Sequence, residues 1–293
     1  MVTSLLLWEK INKSMESINC LKKIINFEEH PVITSRNNEK LKYLRKLRNK
    51  PFRDSENVFS IEGTKLFSEA FHSQMIFRQI FITEKWFDSQ NESIQDSIAL
   101  LNANGISIVV VMDEIFNSIS TMQQSEGIIC IADKIEFEPS DFMKYVLLDD
   151  VQDPFNVGTI IRTADAAGID CVITSRKTAD IYNEKVLRGS MGSVFHIPVL
   201  QVDSLTEYAK DLKNKKVKII GTSLEGEDLW QRQPIEPPFG IVMGNESQGM
   251  SHEMAQLCDV LLKIPILGNA ESLNVSTAAG IILYDILREN VLN

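Results

Sequence analysis

The feature that most constrains the fold is the alternation of short apolar segments with amphipathic helical patterns in the second half of the chain. The predicted strands are residues 145–149, 171–174, 217–222, 240–243 and 260–264. The predicted helices are residues 157–167, 205–212, 251–257 and 275–289. Strands that alternate with helices form a mostly parallel sheet, and they are apolar because helices cover both faces. The sequence therefore predicts an α/β domain in this half.

The first half of the chain has the pattern of a smaller α/β unit. Its predicted strands are residues 79–83, 106–111 and 127–132, with helical patterns between them. Residues 135–141 are polar and acidic and contain Pro139, which is typical of a linker. A chain of 293 residues has room for about two domains. We therefore predict an N-terminal extension over residues 1–30, a small domain over 31–140 and the α/β domain over 141–293.

A basic segment opens the small domain. Over residues 36–53 the only acidic residue is Glu39, and Leu41, Leu44 and Leu47 recur at helical spacing. We predict one short helix whose leucines face the interior and whose basic residues lie on its other faces. Such a helix is either an ordinary solvated surface or a contact for RNA phosphates. The residues predicted for the contact are Arg36, Lys40, Lys42, Arg45, Lys46, Arg48 and Arg53.

Charge and hydropathy exclude some classes of function. The net charge of −10 argues against non-specific coating of nucleic acid, so any contact with a polyanion must be local. No apolar run approaches the roughly 18 residues of a membrane-spanning helix. The short apolar run at residues 5–8 is not preceded by the basic segment that a signal peptide requires. We therefore expect a cytoplasmic protein with no membrane contact.

Ligands of parallel sheets bind beyond the carboxyl ends of the strands, so the loops there are the places to look for a site. The first such loop lies in residues 148–162, LDDVQDPFNVGTIIR. Asp153-Pro154 turns the chain, Asn156 is predicted to cap the next helix, and Arg162 follows six residues later. A capped helix with an ordinary arginine is the alternative interpretation.

Two further loops share this position. In residues 241–249, IVMGNESQG, Gly244 would let the backbone approach a ligand, and freed amides could bind a flat heterocycle. In residues 264–280, IPILGNAESLNVSTAAG, Ser272 and Asn274 begin a helix whose free N–H groups can act as donors. Small residues up to Gly280 would let another backbone come close. A plain strand-to-helix turn and a well-capped core helix would look similar.

Other known site motifs are absent from the sequence. The loop after residue 149 contains only Gly158, so it lacks the GxGxxG of dinucleotide sites, and neither GxxxxGK[ST] nor GxSxG occurs. His252-Glu253 begins like a zinc-protease helix, but Gln256 stands where the second histidine is required. The cysteines form no CxxC pair, which predicts buried free thiols and no metal site. They are Cys20, Cys130, Cys171 and Cys258.

Together, in order and spacing, the three loops resemble the three motifs of the SpoU (TrmH-type) branch of the SPOUT RNA methyltransferases. The matching segments are DPFNVGTIIRTADAAGID, VMGNESQGM and IPILGNAESLNVSTAAGIILYD. The resemblance covers about residues 143–293. Around FSIEGTKLFSEA in the first half it extends more loosely to the substrate-binding domain of the family. One motif alone would be modest support, whereas three in register are specific.

The resemblance implies a fold, a cofactor and an assembly that spacing alone did not indicate. It implies a trefoil knot in the C-terminal domain, a homodimer whose active sites are completed across the interface, and S-adenosyl-L-methionine bound in the knot. The cofactor positions carried over are Thr222, Gly244, Asn245, Ile264, Leu273 and Asn274. The catalytic positions carried over are Asn156, Arg162, Glu246, Ser272 and Asn274.

The implied reaction is methylation of a ribose 2′-hydroxyl in structured RNA, with ribosomal RNA slightly favoured over tRNA. A guanidinium is essentially always protonated, so we expect Arg162 to clamp a phosphate and stabilise the oxyanion rather than act as a base. Asn156 and Glu246 would orient Arg162 and the ribose. Two alternatives stay open: a non-catalytic RNA-binding or ribosome assembly factor with the same fold, and methylation of a base nitrogen.

Overall fold

The computed structural model describes residues 31–137 and 142–292, with side chains as far as Glu289. The chain divides into two compact units, Met1–Glu136 and Phe137–Asn293. The predicted extension over residues 1–30, Cys20 and the middle of the predicted linker lie outside the described residues. The three-region division therefore stays a prediction.

The N-terminal unit is built on a four-stranded mixed sheet. Its strands are β1 (Val58–Glu62), β2 (Phe77–Ile82), β3 (Ser107–Val110) and β4 (Ile128–Asp133). The order is β1-β4-β2-β3, in which β4 runs antiparallel to both neighbours and β3 runs parallel to β2. Its helices are α1 (Glu39–Lys46), α2 (Lys50–Glu56), α3 (Thr64–His72), α4 (Glu84–Ser89), α5 (Glu92–Ala103) and α6 (Asp113–Asn117). The sequence predicted β2, β3 and β4 but missed β1.

The basic segment forms two helices, so the prediction of one helix was wrong. The side chain of Asn38 accepts a hydrogen bond from the backbone of Lys40 and caps α1, and Pro51 lies in the first turn of α2. A proline there cannot donate a backbone hydrogen bond, and its ring would clash with the carbonyl of Leu47 if the first helix continued. The buried positions of Leu41 and Leu44 on α1, and of Leu47 after it, confirm the predicted leucine face.

The C-terminal unit is built on a six-stranded sheet in which every neighbouring pair is parallel. Its strands are β5 (Lys144–Asp149), β6 (Cys171–Thr174), β7 (Val199–Gln201), β8 (Lys218–Asp228), β9 (Phe239–Gly244) and β10 (Val260–Lys263), in the order β10-β8-β9-β5-β6-β7. Its helices are α7 (Pro154–Ala166), α8 (Glu184–Ser190), α9 (Leu205–Asn214), α10 (His252–Leu257) and α11 (Val275–Leu292). The predicted parallel sheet is confirmed, β7 and α8 were missed, and the knot stays a prediction.

The two central strands of this sheet carry its core. Val146, Leu147 and Leu148 of β5 and Ile241 and Val242 of β9 are all completely buried. Burial of side chains on both faces explains why these strands read as continuous apolar runs. Because β5 and β9 are parallel neighbours, their carboxyl ends meet at the middle of one sheet edge.

The described part of the chain contains no helix long and apolar enough to cross a membrane and no cluster of His, Cys, Asp or Glu suited to a metal ion. Cys130 and Cys171 are buried and unpaired, and Cys258 is half-buried and unpaired. Burial raises the pKa of Cys171 to about 12 and that of Cys258 to about 11. The thiolate form is therefore scarce at neutral pH, which makes these thiols poor nucleophiles.

Helices α7 and α8 cross at a pair of glycines. A Cβ added to Gly158 would lie 2.6 Å from the carbonyl oxygen of Val186 and 2.9 Å from the Cα of Gly189. Both neighbours are backbone atoms, so neither can move aside cheaply. Gly280, where the sequence suggested a close approach, is different, because a Cβ there would meet only the methyl group of Thr163 at 3.8 Å. The close crossing therefore lies at Gly158 and not at Gly280.

We expect Gly158→Ala to lower the free energy of unfolding by about 1–3 kcal/mol, because the added methyl overpacks the crossing. Gly280→Ala is the matched control and should raise that free energy by up to about 1 kcal/mol, since alanine is the better helix former. Urea unfolding of both variants measures the difference. Equal effects at the two positions would contradict the crossing described above.

Candidate active site

The candidate site lies where the central strands end. Asp149, the last residue of β5, pairs in register with Gly244, the last residue of β9. The loops that follow both strands therefore begin side by side. The buried carboxylate of Asp149 accepts a 2.7 Å hydrogen bond from the backbone N–H of Ser251, which fixes the far end of the loop after β9.

The loop after β9 closes on itself. The backbone groups of Asn245 and Gly249 exchange two hydrogen bonds of 2.9 Å, and Gly249 has the left-handed φ of +70° that this closure needs. The Asn245 side chain accepts from Ser247 N and Gln248 N. A Cβ on Gly244 would lie 2.3 Å from the nitrogen of Met250. Glycine at position 244 is thus required by the loop itself, and the predicted approach of a ligand to it stays a prediction.

Glu246 joins the two loops. Its carboxylate accepts hydrogen bonds from the backbone N–H groups of Gln152 and Asp153, at 3.2 and 3.0 Å, and from the side-chain amide of Asn156 at 3.0 Å. Burial acts to raise the pKa of Glu246, but these donors outweigh it and lower the pKa below the ordinary value of 4.5. Glu246 is therefore ionised at neutral pH and is a weak base. It is suited to organising the site and not to accepting a proton.

Asn156 also forms a hydrogen bond with a residue of the third motif. It is only 4% exposed, and its side-chain oxygen accepts a 2.9 Å hydrogen bond from the amide of Asn274. The oxygen of Asn274 in turn accepts from the backbone N–H groups of Ser276 and Thr277 and so caps α11. Three segments far apart in the sequence are thus joined through the side chains of Glu246, Asn156 and Asn274.

The prediction that Asn156 caps α7 was wrong. Asp153 is the cap, since its carboxylate accepts from the backbone N–H of Phe155, and Pro154 occupies the first turn. Aspartate followed by proline is the stronger start signal, because proline needs no partner for a missing N–H. The side chain of Asn156 is consequently free to contact Glu246 and Asn274.

Arg162 does not join this cluster within one chain. Its side chain is exposed and makes no hydrogen bond or ion pair with any residue that the structure describes. Six residues separate it from Asn156, which corresponds to about 240° around a helix. Arg162 and Asn156 therefore lie on different faces of α7. The expectation that Asn156 and Glu246 orient Arg162 is wrong for residues of a single chain.

Three of the predicted cofactor positions lie on, or directly after, the neighbouring strands β8, β9 and β10. Thr222 is on β8, Gly244 ends β9 and Ile264 directly follows β10. The hydroxyl of Thr222 donates to the carbonyl of Val242, so it is already used within the sheet. Leu273 is 37% exposed.

The loop formed by residues 264–273 has backbone groups that are available to a ligand. Its backbone N–H and C=O groups make no backbone hydrogen bond to any described residue. It contains two partly exposed apolar side chains of the predicted cofactor set, Ile264 and Leu273. Free amides and carbonyls beside apolar surface suit a ligand that is bound through backbone groups.

One of the predicted RNA contacts, Arg53, serves the fold of the N-terminal unit instead. Arg53 is only 5% exposed and donates to the carbonyl of Leu47, so its prediction as a phosphate contact was wrong. Arg48 donates to the carbonyl of Ile119 at 2.7 Å. The other predicted contacts, Arg48 included, are exposed or half-buried and stay predictions: Arg36, Lys40, Lys42, Arg45, Lys46 and Arg48.

The sequence missed the part that Asp150 plays. Its backbone carbonyl accepts a 2.8 Å hydrogen bond from the side chain of Asn245, and it has a left-handed φ of +60°. The signal was the pair Asp149-Asp150 directly after a buried strand, since aspartate is among the few residues that tolerate this conformation.

Comparison with known proteins gives two family matches. The SpoU rRNA Methylase family matches residues 143–284, and the MRM3-like substrate binding domain matches residues 38–130. A relative from Bacillus subtilis (strain 168), the 23S rRNA (guanosine(2553)-2′-O)-methyltransferase RlmP, is 36% identical over 252 residues, which are 86% of this chain and 97% of the relative.

Two solved structures are similar over both units. A putative RNA methyltransferase of the TrmH family from Porphyromonas gingivalis has a TM-score of 0.73 and 30% identity, covering 86% of this chain and 98% of its own. An AdoMet-bound rRNA methyltransferase from Sinorhizobium meliloti has a TM-score of 0.76 and 29% identity, covering 90% and 99%.

We expect Glu246→Gln to lower the stability at neutral pH and the loss to shrink in acid. A carboxyl group whose folded pKa is lowered stabilises the fold above its unfolded pKa, and this contribution disappears as pH falls through the folded value. The difference in stability between wild type and variant should therefore begin to shrink near pH 4.5 and continue to shrink at lower pH. Chemical unfolding of wild type and variant across pH 3 to 7 measures the difference. Glu253→Gln, at an exposed position, controls for net charge. A difference that stays constant with pH would contradict the charged hydrogen bonds described.

Proposed function

Because this chain belongs to the SpoU rRNA methylase family, we propose that it transfers the methyl group of S-adenosylmethionine to a ribose 2′-hydroxyl of ribosomal RNA. The observation that carries the proposal is the connected set Glu246, Asn156 and Asn274, one residue from each of the three family motifs. Ribosomal RNA is favoured as the substrate by the name of the Bacillus subtilis relative and by the match to a substrate-binding domain.

The cofactor is assigned to the edge formed by β8, β9 and β10. The backbone groups of residues 264–273, which bond to no described backbone group, and the partly exposed Ile264 and Leu273 fit an adenosine held by amides and carbonyls. Gly244 and Asn245 lie at the neighbouring strand end, and Thr222 lies between them and β10. When bound, S-adenosylmethionine supplies an electrophilic methyl group on a sulfonium.

The residues of the chain have separate roles in this proposal. Glu246 and Asn156 are positioning residues, since a carboxylate with a lowered pKa is too weak a base for a ribose hydroxyl. Ser272 and Asn274 shape the loop that precedes α11. Arg162 binds the phosphate next to the target ribose and stabilises the negative charge that develops on the 2′-oxygen. Alignment of hydroxyl, methyl and sulfur supplies much of the rate acceleration.

In a homodimer, Arg162 of one protomer would reach the active site of the other protomer. Phe155 and Arg162 lie two turns apart on α7 and so share a face, and Phe155 is 65% exposed. An exposed aromatic beside an arginine is typical of a protein interface. We assign that face to a second copy of the chain, with Arg162 of one protomer reaching the site of its partner. A cytoplasmic location completes the proposal.

The reaction is tested with labelled S-adenosylmethionine and unmodified transcripts. One transcript is a 23S ribosomal RNA fragment that includes the position of guanosine 2553, and a transfer RNA serves as the comparison. We expect label in a ribose of the ribosomal fragment, located by digestion and mass spectrometry. Label on a base nitrogen would replace ribose methylation by base methylation. Neither transfer nor cofactor binding would favour the non-catalytic assembly factor.

We expect Arg162→Ala to lower turnover about 100- to 1,000-fold and to leave S-adenosylmethionine binding nearly intact, because its charge acts on the transition state. Asn274→Ala should also be inactive. Co-refolding the two variants should restore about a quarter of wild-type activity, since about half of random dimers are mixed and each mixed dimer has one intact site. No recovery would place Arg162 in the site of its own chain or assign the activity to a monomer.

A further inference from the structure

The turn that follows β6 is built more rigidly than its exposure suggests. The backbone N–H of Thr178 donates to the carbonyl of Ser175 at 3.2 Å, so Arg176 and Lys177 occupy the two central positions of a β-turn. We propose that this turn binds the phosphate backbone of the substrate RNA. The inference rests on the proposed function and adds a contact on the C-terminal unit to it.

Both ends of the turn are fixed to the end of β5. The backbone N–H of Ser175 and the hydroxyl of Thr178 each donate to the carbonyl of Leu148 at 3.0 Å. The Ser175 hydroxyl donates to the carboxylate of Asp150 at 2.6 Å and accepts from its backbone N–H at 3.0 Å. Ser175 and Thr178 are buried, and their hydroxyl groups have partners. Buried, satisfied polar groups of this kind rigidify a loop.

The two residues at the tip of the turn are both cations. The side chains of Arg176 and Lys177 are 79% and 76% exposed. Arg176 lies 3.7 Å from the carboxylate of Asp203, which is itself almost fully exposed, and Lys177 lies 3.3 Å from that of Asp150. Solvated pairs of this geometry are weak, so a phosphate can compete for both cations. In a chain with a net charge of −10, two adjacent cations on a rigid turn form a local site for a polyanion.

The strand order places the turn on the substrate side of the candidate active site. The assigned cofactor positions belong to β8, β9 and β10, whereas β6 lies on the other side of β5. Asp150 connects the two sides, because it contacts Ser175 and Lys177 and its carbonyl accepts from Asn245. An RNA strand that crosses the end of β5 would have its target ribose near Glu246 and a neighbouring phosphate over the turn.

The chemistry of the turn suits backbone contact. Arginine offers a planar fork of donors and lysine a compact charge, and both bind phosphate oxygens. Such contacts fix the position of the nucleic acid and carry no base identity. The turn should therefore contribute affinity for RNA and register on it, and base selection belongs to other residues.

The test compares the double variant Arg176→Gln/Lys177→Gln with wild type on the 23S ribosomal RNA transcript. We expect the RNA KM to rise about tenfold, with kcat within about twofold and unchanged binding of S-adenosylmethionine. The slope of log Kd against log salt should fall by about 1.5, as two lost phosphate contacts require. The charge-preserving variant Arg176→Lys/Lys177→Arg should keep the wild-type slope.

Lys210→Gln/Lys215→Gln is the matched control. It removes the same charge from exposed side chains of α9 and of the residue that follows it, and Lys210 is paired with Glu207 at 2.7 Å much as Lys177 is with Asp150. This control should bind RNA with nearly the wild-type slope. Equal losses in the control and the turn variant would reduce the effect to net charge and overturn the inference.

Two further outcomes separate this inference from the proposed function. If wild type transfers methyl groups and the turn variant matches it in KM and salt dependence, the inference fails and the function stands. If wild type transfers no methyl group but its RNA binding loses salt dependence in the turn variant, the turn is supported as an RNA contact and the proposed function fails.

Discussion

The arrangement of the C-terminal unit depends on one carboxylate that can only accept hydrogen bonds. Because Glu246 is ionised, the atom of Asn156 that faces it must be the amide nitrogen, and the oxygen of Asn156 must face Asn274. Asn274 then presents its nitrogen to Asn156 and its oxygen to the free N–H groups of α11. A single charge therefore sets the direction of every side-chain dipole in the series, which ends where the helix dipole is positive. Loss of any one of these side chains would leave a donor or acceptor of its neighbour without a partner.

Parallel strands make this series possible. The carboxyl ends of β5 and β9 lie side by side in register, so two loops separated by about ninety residues start from adjacent points. The loop after β9 folds back on its own backbone and points Glu246 at the loop after β5. The sheet thus supplies the position of the site, and the polar contacts supply its orientation. The two contributions are physically distinct, because the sheet is fixed by burial and the contacts by directional bonds.

Much of the fold could be predicted from sequence, because central strands buried on both faces must be apolar. The sequence analysis missed β7 because a strand of three residues is too short to give a recognisable pattern. It also missed the break before α2, because the regular leucine spacing outweighed the proline that marks the break. The motifs identified Asn156 and Arg162 through the family resemblance, but not which of them meet. Whether a side chain faces the sheet or the solvent depends on where a helix begins. Asp153, and not Asn156, caps α7, so the side chain of Asn156 can contact Glu246 and Asn274.

The loop of residues 264–273, whose backbone bonds to no residue that the structure describes, has a consequence for the stability of the protein. A segment whose amide and carbonyl groups lack partners among the described residues gains stability from a ligand that supplies them, and the gain grows with the logarithm of ligand concentration. With S-adenosylmethionine bound there as proposed, the part of the sheet that ends in this loop would be most resistant to local opening and proteolysis when the methyl donor is abundant. When the donor is scarce, the same part of the sheet would open more often. Supply of the donor would in this way set the local stability of this part of the sheet as well as the rate of transfer.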